Sequence, residues 1–258
     1  MAWLTMGLQI AVSAAFFGFA LCALGVFRRT EGGVPAHRAA WGLMAGAFLV
    51  HASDKLAMES FGTLAMARGN DSAVMEAYVL WYPLFNHSRT FMLLAVWGLL
   101  LFIALRPGTR FDAAFYRRAG VLLGAGLLVG VLAGLGENGA IAREHFSKVA
   151  QWDVVELLLL LSALFAALLT SAVDRMLWFC LAVYAFSLSL NTLWFAAFAA
   201  LRDLPDTWSP KPWVVQGYRL ALTVVMAWFA WQRLRQARRG ARVPALLEGP
   251  QPRPSMVG

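Results

Sequence analysis

The 258-residue chain predicts an all-α integral membrane protein, folded as a bundle of seven transmembrane helices. Composition is the first reason. Of its residues 60% are hydrophobic and 14% charged, against about 25% charged in an ordinary soluble domain. The second reason is that the apolar residues gather into seven runs of the length that crosses a bilayer, about 20 residues. The third is that turn formers separate the runs, as in Glu31-Gly-Gly-Val-Pro35, Arg68-Gly-Asn-Asp71, Arg106-Pro-Gly108 and Glu137-Asn-Gly139.

The first span covers 3–27. No basic residue precedes it, while Arg28 and Arg29 follow, which is the pattern of an uncleaved span inserted amino terminus first rather than a signal peptide. The second, 41–66, is the most polar. His51, Lys55 and Glu59 recur at i, i+4 and i+8 with Asp54 beside them, a spacing that puts them on one helix face. The third, 73–105, carries Asn86, His87 and Arg89 one turn or more after Pro83, and a proline can bend or hinge its helix there. The fourth, 119–137, has glycines at 126, 130 and 134. Such a small-xxx-small series lets another helix come close, and a partner within the chain is expected.

The fifth span, 149–173, brings Asp153 and Glu156 at i, i+3. A very short connection at Asp174-Arg175 then implies an antiparallel hairpin with the sixth, 176–201, which holds Asn191, with Tyr184, Trp194, Phe195 and Phe198 around Ser187. The seventh, 212–232, carries Gln216 and Arg219, with Thr223 continuing the row. One membrane domain thus fills 1–240, and the Pro-rich 241–258 reads as a disordered cytoplasmic tail. Trp3, Trp41, Trp152, Trp208, Trp213 and Trp231 lie near predicted span ends, where an amphipathic ring is at home in the interface. Cys22 and Cys180 both fall inside apolar runs, so neither a disulfide framework nor a CxxC metal site is expected.

Orientation follows from the basic residues. Fourteen, including Arg28, Arg29, Arg38, Arg106, Arg110, Arg175 and Arg233, flank one set of span ends, and five (Arg68, Arg143, Lys148, Arg202 and Lys211) flank the other. The positive-inside rule then places the amino terminus outside and the carboxyl terminus in the cytoplasm of a plasma (inner) membrane protein. The net charge of +8 is therefore a topology signal, and the basic stretch from Arg233 to Arg242 touches anionic headgroups or a cytoplasmic protein partner. No nucleic-acid partner is expected.

The residues that a bilayer should reject carry the functional reading. These are His51, Asp54, Lys55, Glu59, Asn86, His87, Arg89, Asp153, Glu156, Asn191, Gln216 and Arg219. A charge at mid-bilayer costs about 3 kcal/mol on insertion scales, so such groups face the bundle interior and pair. Together they predict a polar cavity that opens to the exoplasmic side above an apolar floor formed by segments such as Leu93–Leu105 and Leu157–Leu169. A small polar or zwitterionic solute, or the headgroup of an amphiphile, would bind there in a receptor or a transport component. The plainer alternative is that the charges only fix helix register.

Two other chemistries remain open at this stage. His51 and His87 could ligate a b-type haem from both sides. His51, His87, Asp153 and Glu156 could hold a metal for intramembrane lipid or peptide cleavage, although Lys55, Arg89 and Arg219 compete for the carboxylates and no HExxH or GxSxG motif is present. Seven spans with an outside amino terminus resemble sensory seven-helix proteins in outline. The specific resemblances fail: the only intramembrane lysine is Lys55, so a retinal protein's lysine in the last span is missing, and Arg106-Pro-Gly108 is not the Asp-Arg-Tyr-like end of span three found in the large eukaryotic receptor class.

Overall fold

The computed structural model describes residues 2–30, 33–69, 73–106, 108–136, 143–200 and 212–240. Seven helices run through them: α1 (Ala2–Arg29), α2 (Pro35–Arg68), α3 (Ala73–Leu105), α4 (Ala113–Leu135), α5 (Arg143–Thr170), α6 (Arg175–Ala200) and α7 (Pro212–Gly240). All but α2 contain a stretch long and apolar enough to cross a membrane, and α2 falls short because it carries His51, Asp54, Lys55 and Glu59. The chain is a helical membrane bundle. The expected tail at 241–258 lies outside the described residues, as do Trp208 and the side chains of Trp3, Phe195 and Phe198.

The helix starts are earlier than hydropathy predicts, for local reasons. Pro35 sits in the first turn of α2, where its missing N–H costs nothing. At α4 the Asp112 side chain accepts the Phe115 backbone N–H at 3.0 Å, an N-cap that starts the helix six residues before the predicted span. That hydrogen bond holds the Asp112 carboxyl below the usual carboxylate range. At the other extreme α7 runs on through Arg233 to Gly240, because basic side chains suit a helix carboxyl end.

Helix neighbours define the architecture. Contacts join α1 to α2, α2 to α3, α3 to α5, α5 to α6, α6 to α7 and α7 back to α1. Six helices therefore close a ring, and α4 packs outside it against α3. The glycine series makes that contact. A Cβ on Gly126 would stand 2.8 Å from the Phe91 carbonyl oxygen, one on Gly130 2.5 Å from that of His87, and one on Gly134 2.5 Å from the Leu84 Cα. The partner positions on α3 fall as the α4 positions rise, so the two helices are antiparallel in backbone contact, a geometry that larger residues would forbid. The remaining surface of α4 is inside out by soluble standards, with Val121, Leu122, Leu128 and Leu132 exposed, as a lipid-facing helix requires.

Inside the ring lies an apolar core. Trp41, Met44, Phe48, Trp97, Leu100, Ile103, Leu160, Leu177 and Leu181 are all fully buried in it. The short α5–α6 connection closes this half of the bundle. There Ser171 adopts a left-handed φ of 52°, and its carbonyl lies 2.8 Å from His37 Nε2. Asp174 accepts three donors: the Leu177 backbone N–H at 3.0 Å as the cap of α6, Trp41 Nε1–H at 2.7 Å and Arg233 Nε–H at 2.9 Å. One carboxylate thus fastens α2, α6 and α7. Trp41 is correspondingly 0% exposed, which corrects its expected place in the membrane interface. Trp213 and Trp231 are exposed, as anchors should be.

Candidate functional site

The polar residues occupy the opposite half of the ring, toward the α2–α3 and α6–α7 connections. At 1.5 Å rise per residue, Arg219 lies about 10 Å from the start of α7, and Glu59 about 14 Å from the end of α2. His51 and Tyr184 are deeper, about 25 Å from the same ends of α2 and α6. Each helix presents its polar residues on one face because they recur every three or four positions.

Three cations organise the site. Arg89 Nη1–H donates to Asp54 Oδ2 at 3.0 Å and its Nη2–H to Asn86 Oδ1 at 2.5 Å. Lys55 Nζ–H donates to Glu59 Oε1 at 2.5 Å, and Arg219 Nη1–H reaches the same oxygen at 3.3 Å. Arg219 Nη2–H also donates to Asn191 Oδ1, which accepts from Tyr218 as well. The network therefore ties α2 to α3 and to α7, and α7 to α6.

Two small cavities adjoin this network. The outer one, about 70 Å³, is lined by Asp54, Glu59, Tyr82 and Asn86. The inner one, about 50 Å³, is lined by Phe16, His51, Asp153, Glu156, Tyr184 and Ser187. Lys55, Arg89, Asn191 and Arg219 line both. The cations thus stand between an outer and an inner chamber. Each chamber has room for a few water-sized groups, well short of the roughly 300 Å³ where pockets for drug-sized ligands begin.

The inner chamber differs from the outer in how its acids are held. Glu156 is 2% exposed and accepts Trp97 Nε1–H at 3.1 Å and Tyr184 O–H at 3.2 Å on a single oxygen, Oε1. Asp153, one turn earlier, has a buried Oδ2 with no hydrogen-bond donor. Neither carboxylate has a salt bridge among the described residues. His51 is packed edge-on against Phe16, Phe48 and Tyr184, and both its ring nitrogens lack a hydrogen-bond partner.

Of the twelve sequence candidates, His51, Asp54, Lys55, Glu59, Asn86, Arg89, Asp153, Glu156, Asn191 and Arg219 line one chamber or both. His87 and Gln216 are buried but line neither. His87 lies on the turn of α3 that meets Gly130 of α4. The residues do not fit a haem: His51 and His87 do not share a cavity, and the one that His51 lines is far too small. Among the described residues no three His, Cys, Asp or Glu side chains gather to hold a metal ion.

Sequence reading missed a polar row on α1. Thr5, Gln9 and Ser13 are all buried, and Gln9 Oε1 accepts the Thr63 hydroxyl at 2.6 Å. Their i, i+4, i+8 spacing was the available signal, hidden because none is charged. Trp97 was also read only as part of an apolar floor, whereas it donates to Glu156. Compared with protein families, curated proteins and solved structures, the chain matches none.

Proposed function

We propose that this membrane protein binds a small polar solute in the paired chambers and acts as a receptor or transport component. The observation that carries the reading is the two-chamber cavity with three cations between its compartments. A network meant only to fix helix register needs no internal space, and its polar atoms would all find partners, since buried polar groups in folded proteins are nearly always satisfied. Here Asp54 Oδ1, Glu59 Oε2, Asp153 Oδ2 and both His51 nitrogens are not. The excess of basic residues at the other end of the spans supports an exoplasmic opening for the polar half and a cytoplasmic position for the apolar half, in the plasma membrane.

The chamber volumes narrow the guest. A free small solute fits, and an amphiphile could insert no more than part of its headgroup. The enzymatic alternative would use Ser187, His51 and Asp153, which line the same chamber. It is weaker because His51 is hydrogen-bonded to neither, whereas an activated serine needs that relay.

The test has two parts. Purified protein in lipid nanodiscs is titrated with methylammonium, glycine and acetate while its thermal unfolding is followed, and saturable stabilisation by at least one is expected. Single cysteines placed at Ala73 and Gly108 in a background lacking Cys22 and Cys180 are then labelled from outside intact cells. Labelling at 73 and not at 108 is expected, and the reverse pattern overturns the orientation.

A further inference from the structure

We infer that the guest is a small primary ammonium, R–NH3+, with its nitrogen in the inner chamber against Asp153, Glu156 and His51; this rests on the solute-binding reading above. Around the two chambers, the buried atoms without a partner are the carboxylate oxygens Asp54 Oδ1, Glu59 Oε2 and Asp153 Oδ2, together with the two His51 nitrogens. No nitrogen of Lys55, Arg89 or Arg219 is among them; these side chains donate to Asp54, Glu59, Asn86 and Asn191. Carboxylates accept and do not donate, and a neutral imidazole keeps one accepting nitrogen. The wholly unserved atoms are therefore chiefly acceptors. A primary ammonium brings three N–H donors to them, and a carboxylate guest brings none.

Charge gives the same answer. Asp54, Glu59, Asp153 and Glu156 oppose Lys55, Arg89 and Arg219, which leaves one formal negative charge. Asp54 is paired with Arg89, and Glu59 is shared by Lys55 and Arg219, while Asp153 and Glu156 have no salt bridge among the described residues and meet the same cations only across the chamber that they line together. A single positive charge restores balance. His51 supplies the independent observation. It is 3% exposed, lines the chamber and has no partner for either nitrogen, so a group with several N–H donors answers it and Asp153 together. The aromatic faces of Phe16 and Tyr184 on the same wall suit a cation with a short carbon stem. Sodium would satisfy the carboxylates and leave the imidazole unserved.

The experiment uses the full chain in nanodiscs at constant ionic strength. Methylammonium should bind saturably, whereas tetramethylammonium, equal in charge but without N–H donors, and sodium should bind at least about tenfold more weakly, or 1.4 kcal/mol. Asp153→Asn should weaken methylammonium by a similar factor and leave the unliganded unfolding temperature nearly unchanged, because Asp153 has no salt bridge to lose among the described residues and its Oδ2 accepts no hydrogen bond. Glu156→Gln serves as a second variant. In the wild-type protein, isotope-labelled methylammonium should show a direct dipolar contact with the Asp153 carboxyl carbon by solid-state NMR, which reports even if a variant fails to fold. Binding of acetate or glycine without methylammonium overturns this inference and leaves the solute-binding reading standing. Equal binding of tetramethylammonium or sodium, unchanged affinity in Asp153→Asn, or the absence of the dipolar contact overturns it too. If no solute binds, both readings fall.

Discussion

Asp153 and Asp174 lie 21 positions apart on either side of the α5 carboxyl half, and they show two opposite uses of a carboxylate in this membrane protein. Asp174 is saturated. It caps α6, accepts from Trp41 and pairs with Arg233, so its burial is offset by three donors. Asp153 is more buried, has no salt bridge, and presents an unpartnered oxygen beside a cavity. Satisfaction marks the fastening at one end of the ring, and its lack marks the site at the other. Charge content alone would not separate them, since each half contains an aspartate–arginine pair and a carboxylate that accepts from a tryptophan.

Substitutions can break this contrast, and the largest effect should come from neither end. Gly130→Leu would drive a side chain into the α3 backbone at His87 and Ser88. It should cost about 3 kcal/mol or more and appear as loss of a monodisperse species on size exclusion together with a lowered unfolding temperature. Asp174→Ala comes next. It strands Arg233 and leaves Trp41 Nε1 unserved, at a cost of about 3 kcal/mol, read by chemical denaturation in nanodiscs. Arg219→Ala removes one of the two cations on Glu59 and should cost about 2 kcal/mol, while Arg239→Ala, at an exposed position, should change stability by less than about 0.5 kcal/mol. Equal tolerance of the two arginine changes would show that the network is not buried as described.

Asp153→Asn should leave stability within about 0.5 kcal/mol while altering solute binding, the reverse of Asp174→Ala. A large loss of stability in Asp153→Asn would erase the distinction between site and fastening. The smallest effect belongs to Asp112. Its carboxyl is held low by the Phe115 N–H, so the cap is fully present above the ordinary aspartate range near pH 4 and is lost as pH falls through its lower folded value. Asp112→Asn, which still caps, should abolish that small acid-side loss of stability in a pH series of unfolding curves.

The sequence reading found all seven helices because lipid demands long apolar runs and leaves little ambiguity about where they are. It placed most of the charged residues on shared faces because helical spacing is visible in the chain. Neighbour order was not legible. Apolar side chains serve lipid and core alike, so nothing in the sequence announced that α5 lies beside α3 or that α4 stands outside the ring. The same ambiguity explains Trp41, whose ring suits an interface and a buried hydrogen bond equally. His87 lines neither chamber, since its position one residue from Asn86 turns it about 100° around the helix. The uncharged row Thr5, Gln9 and Ser13 was overlooked because hydropathy averages it away among its apolar neighbours.

The external station of α4 gives the glycine seam a mechanical meaning. The seam grips α3 at Pro83, Leu84, His87 and Ser88, directly after the turn whose backbone hydrogen bond Pro83 removes and immediately before Arg89. A splint is thus bound between the proline break and the arginine in the helix that supplies one of the three dividing cations.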